Sequence, residues 1–465
     1  MDMQVENNLP RRLAIVLHYA HSLCFHAISD CVGKALGDPK QVRGFRFWYV
    51  VDVGVVFFGN HQGVSDVDWA VAQKRHHRLV FVHEVGGGLF LDYFAEDAVF
   101  RHGIHLFQRV NSRVVFNRIR TAIIFMETLV DDIGSFPLPA GIKRDDYARA
   151  YELARDAIAD GKDPEEDVFV KKTFGDTVVS SFKRKLDAGL DVVNFPQAFS
   201  GLRQVGDAVH AAMERGSFVV DEKMAFLPEI YILNKHAKEL CEEYGKKILL
   251  RVSIFGPIEQ YLHEVGATVY PDVLEGFAQT INLFAKSSIL NSKYIETKVI
   301  SIDEPSLGHS PFTGTPEQIQ KTLQTAYSFS GPIRQIHLHF ASGIYDLLAV
   351  KGLEVLSFEY AASPKNIGAV SKAMLDGADK QIRVGIARTD LDAIWAELYE
   401  KGITEPNAEQ LVEPVEAMQK RFRAAKEKYG ERMTFTGPDC GLGSWPSQDA
   451  ASLVLKRSVD AAKTP

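Results

Sequence analysis

Cysteine is scarce in this chain: four among 465 residues, at Cys24, Cys31, Cys241 and Cys440, with no paired spacing. That excludes a disulfide-framed secreted scaffold and suits a reducing compartment, so a cytoplasmic location is expected. Long apolar runs are missing as well. The longest tempting stretch, residues 47–58, is too short to cross a bilayer and contains Asp52, so no membrane association is expected. Positive charge is not in excess: 53 Lys and Arg against 60 Asp and Glu leave a net charge of -7, which argues against a nucleic-acid partner. The opening Met1-Asp2-Met3-Gln4-Val5-Glu6 lacks the basic start and small-residue cleavage site of a secretory signal. What is present, 46% hydrophobic and 24% charged residues, is enough to bury a large core. A cytosolic enzyme is the leading class, built as one large domain plus an appendage or as two domains.

The chain changes character near residue 126. Nine of the fifteen histidines lie upstream, arginine there outnumbers lysine by eleven to three, and Val and Phe cluster in runs such as Val50-Val51-Asp52-Val53-Gly54-Val55-Val56-Phe57-Phe58. No helical or strand period is sustained, and no capping signals bracket the apolar runs. Two readings stay open for residues 1–125: a small separate domain, or an upstream gene-model extension with the start at Met126. Gly86-Gly87-Gly88 lacks the Lys-Ser/Thr ending of a phosphate loop and reads as a turn. Arg75-His76-His77-Arg78 reads as a solvated loop, since adjacent side chains point apart.

From residue 126 onward, apolar strand-like runs alternate with amphipathic helical stretches. Strands are expected at 131–136, 190–195, 248–254, 299–303, 333–339, 353–359, 381–387 and 433–437. Helices are expected between them at 145–160, 317–329, 365–376, 391–401 and 409–429. Eight such units predict an α/β fold, a closed (β/α)8 TIM barrel spanning 126–465. A doubly wound open sheet is the alternative, although no glycine fingerprint follows the first strand.

In a barrel, chemistry collects at the C-terminal ends of the strands. There stand Ile133-Gly134-Ser135-Phe136-Pro137, Asn194-Phe195-Pro196-Gln197, Asp303-Glu304-Pro305, His337-Leu338-His339, Glu359, and Pro438-Asp439-Cys440-Gly441-Leu442. His337 and His339 are two apart, so on a strand both face one side and can share an ion. Imidazole, carboxylate and thiol donors in a set of four fit Zn2+ better than Mg2+ or Ca2+. Elsewhere plain readings prevail. Cys241 reads as a half-buried helix thiol and 421–428 as a solvated helix face. His309 and Ser310 fit a loop or a pocket lining, and Trp445 fits packing or a cap on the barrel mouth.

These strand-end motifs together resemble the catalytic barrel of the cobalamin-independent methionine synthase family. The nearest likeness is to its single-barrel archaeal-type forms and to the related uroporphyrinogen decarboxylase-like methyltransferases, over about residues 129–455. The resemblance implies zinc ligands at His337, His339, Glu359 and Cys440, with His339 standing where the family has cysteine. A second registration would put His339 on the family's histidine and Ala341 on its cysteine, leaving one ligand short. The resemblance further implies an acceptor-thiol pocket at Ile133, Ser135 and Asp303, with Gln197 at the place of the family's acid. No counterpart of the family's proton-donating histidine is found after the seventh strand, where Arg388 and Asp390 stand instead. The implied function is zinc-dependent S-methyl transfer to a thiol, homocysteine to methionine, as in methionine biosynthesis. The methyl donor would be a methylcobamide (cobalamin-type) carrier, brought by a corrinoid protein, or a methyltetrahydropteroyl-type folate. The missing histidine favours the corrinoid. The alternatives are a uroporphyrinogen decarboxylase-like lyase and a non-catalytic zinc- or corrinoid-binding barrel.

Overall fold

The computed structural model describes residues 128–464 apart from Ser310, together with five strands in the front region. The chain forms two compact units, Met1–Glu127 and Thr128–Pro465. In the first, the strands β1 (Phe45–Val50), β2 (Val55–Asn60), β3 (Ala70–Arg75), β4 (Arg78–Val85) and β5 (Gly88–Phe94) pair in chain order as an antiparallel meander. The front region therefore holds regular strands where no sustained period is legible in the sequence. Gly88 begins β5 opposite Val85, and Arg75 pairs with Arg78. Gly86, Gly87, His76 and His77 lie outside the described residues.

The second unit is the barrel. Its strands are β6 (Leu129–Val130), β7 (Val193–Asn194), β8 (Ile248–Phe255), β9 (Ile295–Asp303), β10 (Ile333–Leu338), β11 (Val355–Phe358), β12 (Gln381–Ala387) and β13 (Met433–Pro438). All pair in parallel, in the order β6-β13-β12-β11-β10-β9-β8-β7. The two ends of that order meet through a parallel bridge, Asp131 with Val192, so the sheet curls back on itself. Gly437 is required near the seam: a Cβ there would lie 1.9 Å from the Asp131 carbonyl oxygen.

Every expected barrel strand is present, although the second is trimmed to Val193–Asn194, the fourth begins earlier at Ile295, and the first is shifted. The first ends by Asp131 rather than running to residue 136, and residues 132–136 form the loop that follows. Two helices break where one was expected. The 365–376 stretch divides into Asn366–Ala369 and Lys372–Ala378. The 409–429 stretch divides at Pro414 into Ala408–Leu411 and Val415–Tyr429, since proline removes a backbone donor and restricts the residue before it. The face at 421–428 is not simply solvated: Arg421 donates to Ile386 O, Lys426 to Thr128 Oγ1, and Lys428 to Ile367 O. Cys241 lies in the helix Ala237–Tyr244 at intermediate burial, as expected. Among the described residues no helix is long and apolar enough to cross a membrane.

Inside the barrel, side chains stack in layers drawn from alternate strands, as the two-residue strand period requires. The lowest core layer is hydrocarbon: Val192, Val299, Val355 and Phe435, from β7, β9, β11 and β13 or their edges, with Leu129, Leu249 and Ile333 against it. Two residues beyond Leu129, Leu249 and Ile333 come Asp131, Arg251 and Gln335, joined by Arg383 of β12. All four are fully buried. Arg383 Nε lies 2.6 Å from Asp131 Oδ1, and Arg251 Nε lies 3.6 Å from its Oδ2 and 3.1 Å from Gln335 Oε1. A buried carboxylate between two guanidiniums satisfies the rule that buried charge must be paired.

Candidate metal centre

Two residues further along the strands, the polar layer opens into the barrel mouth. His337 is next to last in β10 and is buried. Its Nδ1 meets Ser357 Oγ of β11 at 3.3 Å, while its Nε2 is buried without a hydrogen-bond partner. With Nδ1–H donating to that hydroxyl, the other ring nitrogen keeps its lone pair for an ion. His339 lies just past the strand, its ring 5.6 Å from that of His337. Its Nε2 is 3.5 Å from Cys440 Sγ and 3.6 Å from Glu359 Oε1. One ligand atom from each of His337, His339, Glu359 and Cys440 falls within 4.8 Å of the others.

Two of the spacings match a small tetrahedral ion. Bonds of about 2.0–2.1 Å to nitrogen or oxygen and about 2.3 Å to sulfur set tetrahedral ligand atoms about 3.4–3.6 Å apart. Both His339 distances meet that. Without an ion, burial disfavours charge on all four donors. Burial, with the Glu359 charge next, pushes the Cys440 thiol up to about 12. Burial, with Asp439 and Asp390 adding, pushes Glu359 up to about 8. Burial also lowers His339, and lowers His337 well below the usual imidazole value with help from His339, Arg383 and Arg251. The four groups are thus donors that this site prefers uncharged, and a bound dication is what would favour the anionic thiolate and carboxylate.

The expected pocket residues lie at or just after the ends of β6, β7 and β9, and of these Ser135 is tied to the loop of Cys440. Ile133 and Ser135 lie on the loop after β6. The Ile133 carbonyl accepts from Ser253 Oγ at 2.6 Å, and the Ser135 carbonyl accepts from Leu442 N at 2.7 Å. Ser135 Oγ accepts from Gly443 N, so this loop is tied to the loop of Cys440. Behind it Lys185, fully buried, lies 2.6 Å from Asp132 and donates to the carbonyls of Gly134 and Asn194. Asp303 ends β9. Burial pushes its carboxyl up to about 6, against the opposing pull of Arg251, whose Nη2 is 4.0 Å away. Gln197 lines a cavity of about 240 Å³ together with Ser135, Phe136, Phe199, Phe255 and Gly443. Its Nε2 donates to Gln204 Oε1 at 3.0 Å, and Gln204 Nε2 donates to Glu229 Oε1 at 2.8 Å. Glu229 is fully buried, which pushes it up to about 8.

Other strand-end residues serve the scaffold. The Glu304 carboxylate, in Asp-Glu-Pro, accepts from the amides of Ile258 and Glu259 at the start of the helix Pro257–Glu264. Arg388 is held by Asp390 at 2.7 Å and Glu397 at 2.8 Å. Trp445 is buried, and His309 stacks on Phe340 with centroids 4.6 Å apart. Ser310 lies outside the described residues.

Arg251, Arg383, Lys185 and Asn366 stand in none of the strand-end motifs. For the two arginines a signal existed: each is a lone cation inside an otherwise apolar strand, ILLRVSIF and QIRVGIA. Such a residue is buried only if paired.

No family model matches the chain, and no curated protein matches it. Among solved structures, one described as a "putative dihydrodipicolinate synthetase from Pseudomonas aeruginosa" is similar at 9% identity and a TM-score of 0.26, covering 60% of this chain and 68% of that one. A likeness at that level carries no argument.

Proposed function

We propose that the barrel is a zinc-dependent S-methyltransferase acting on a small thiol, in the manner of the methionine synthases that its strand-end motifs resemble. Homocysteine is the acceptor that this resemblance favours. One observation carries the reading: four donors of types N, N, O and S, drawn from three strand ends, converge within 4.8 Å at the barrel mouth. A Zn2+ held by His337, His339, Glu359 and Cys440 would supply a Lewis acid that keeps an acceptor thiol ionised at neutral pH.

The chain's own residues do the rest. The loop Ile133–Ser135, pinned by Lys185, Ser253 and Leu442, forms one wall of the acceptor pocket. Asp303 offers a carboxylate to a substrate ammonium. Gln197 presents a neutral amide where an acid would bind that ammonium more strongly. In the transfer, a sulfur–carbon bond forms as the donor's bond to the methyl carbon breaks, and the thiol proton leaves for solvent. A methylcobamide carried by a corrinoid protein suits this mouth better than a methylfolate, since Arg388 is locked between Asp390 and Glu397 and offers no free proton donor in place of the family's histidine. A thiolate ligand is best preserved in a reducing cytosol. The lyase alternative gains nothing from Arg251 and Arg383, which are fully buried around Asp131.

The test is zinc content of the purified chain beside Cys440→Ala, followed by homocysteine methylation with methylcobalamin. About one zinc per wild-type chain, lost in the variant, together with turnover, is the expected result. A chain that binds no zinc would overturn the reading.

A further inference from the structure

Three of the four ligands lie beyond the ends of their strands, where no ladder of sheet hydrogen bonds holds the main chain. His337 alone is inside one. Yet the three loops are tied to one another by two buried side chains that contribute no ligand atom. Asn366, 5% exposed, donates through Nδ2 to the carbonyl of His339 at 2.8 Å and to the carbonyl of Glu359 at 2.9 Å. Its Oδ1 accepts from Ala341 N at 3.4 Å. Asp439, fully buried, accepts from three consecutive amides that follow Glu359: Tyr360 at 2.9 Å and Ala361 at 3.0 Å on Oδ1, and Ala362 at 2.6 Å on Oδ2. Asn366 thus joins the β10 loop to the β11 loop. Asp439 joins the β11 loop to the β13 loop, one residue before Cys440.

We propose that Asn366 and Asp439 are positioning residues, which set the main chain of His339, Glu359 and Cys440 so that the ligand atoms already face one another before an ion arrives. The inference rests on the zinc reading above. The side-chain chemistry suits each task. A primary amide is the short group that can give two protons to two carbonyls while taking one from an amide. A carboxylate is the acceptor-only group that three converging N–H dipoles call for. Space is reserved for it as well: a Cβ on Gly385 of β12 would lie 2.1 Å from Asp439 Oδ1. The first clamp is braced from behind, not floating with the loops. Ile367 O accepts from Lys428 Nζ and from Tyr429 OH at 3.1 Å, and Val370 O accepts from Tyr429 OH at 3.2 Å. Both donors belong to the long helix Val415–Tyr429.

The experiment uses the full chain and the variants Asn366→Ala and Asp439→Asn, the second nearly isosteric. Zn2+ affinity is read by competition with a chromophoric chelator, ligand geometry by the visible bands of the Co2+-substituted protein, and folding by thermal unfolding of the ion-free protein. The expected result is Zn2+ affinity about 10–100-fold weaker in each variant, with altered Co2+ bands and an ion-free unfolding temperature within a few degrees of wild type. Unchanged affinity and bands would overturn the proposal. So would zinc loss seen only in protein that has also lost its fold. A wild-type chain that binds no zinc is a different outcome, because it removes the proposed function itself.

Discussion

The two ends of the barrel interior differ in kind. At the N-terminal end Val192, Val299, Val355 and Phe435 fill the lumen with hydrocarbon. Only two residues further along the flanking strands, Asp131, Arg251, Gln335 and Arg383 fill it with paired charge and amide, and beyond them stand the four candidate ligands. The lower layer stabilises by removing apolar surface from water and tolerates trimming in proportion to the volume lost. The upper layer stabilises only while every partner is present, since a buried ion pair gains little over hydrocarbon but costs heavily when broken. This fold therefore places geometry above bulk stability directly beneath the mouth.

Deleting one charge beneath the mouth should show the largest contrast. Asp131→Ala leaves two guanidiniums facing each other without their carboxylate and is expected to cost about 3–5 kcal/mol. Val355→Ala in the lower layer is expected to cost about 2–3 kcal/mol. Urea unfolding of both variants decides, and equal costs would erase the distinction. Next in size is Cys440→Ala. Removing a ligand should weaken Zn2+ binding by more than the roughly 10–100-fold typical of an outer partner, while ion-free stability changes little because the thiol is held neutral.

A third prediction concerns pH. Glu229 is buried and protonated in the fold up to about 8, against an ordinary value of 4.5. Between those values the folded chain holds a proton that the unfolded chain has released. Stability therefore falls as pH rises through the window, by up to about 1.4 kcal/mol per unit. Subtracting the profile of Glu229→Gln from that of wild type should isolate this slope; parallel profiles would show that Glu229 does not contribute. The smallest effect belongs to Arg388→Gln, whose partly exposed ion pairs with Asp390 and Glu397 are worth about 1 kcal/mol or less. Its zinc affinity should match wild type in the same competition assay.

Much of the site was legible because strands have a period of two. His337 and His339 could be placed together from spacing alone, and Glu359 and Cys440 from their positions at strand ends. The fold was legible for the same reason, in eight apolar runs separated by helical stretches. What escaped was whatever depended on contacts between distant strands. The sequence pattern places Asp131 in a longer first strand, yet it sits at the seam of the barrel. Residues 421–428 read as a solvated face because a helical pattern shows which side is charged but not whether its long cations reach back to carbonyls of the sheet. Asn366 carries no motif at all; it became visible only once two loops converged on its amide.

The alternation of strands and helices, the end of the barrel at which chemistry gathers, and the residue types available there follow from the amino-acid sequence, because each is written in local period and side-chain identity. Closure of the sheet, the pairing of Asp131 with two arginines, the convergence of four donors within 4.8 Å and the clamping of their loops were decided by tertiary structure alone. Each of these depends on contacts between residues tens to hundreds of positions apart, and such contacts are set by packing of the whole barrel.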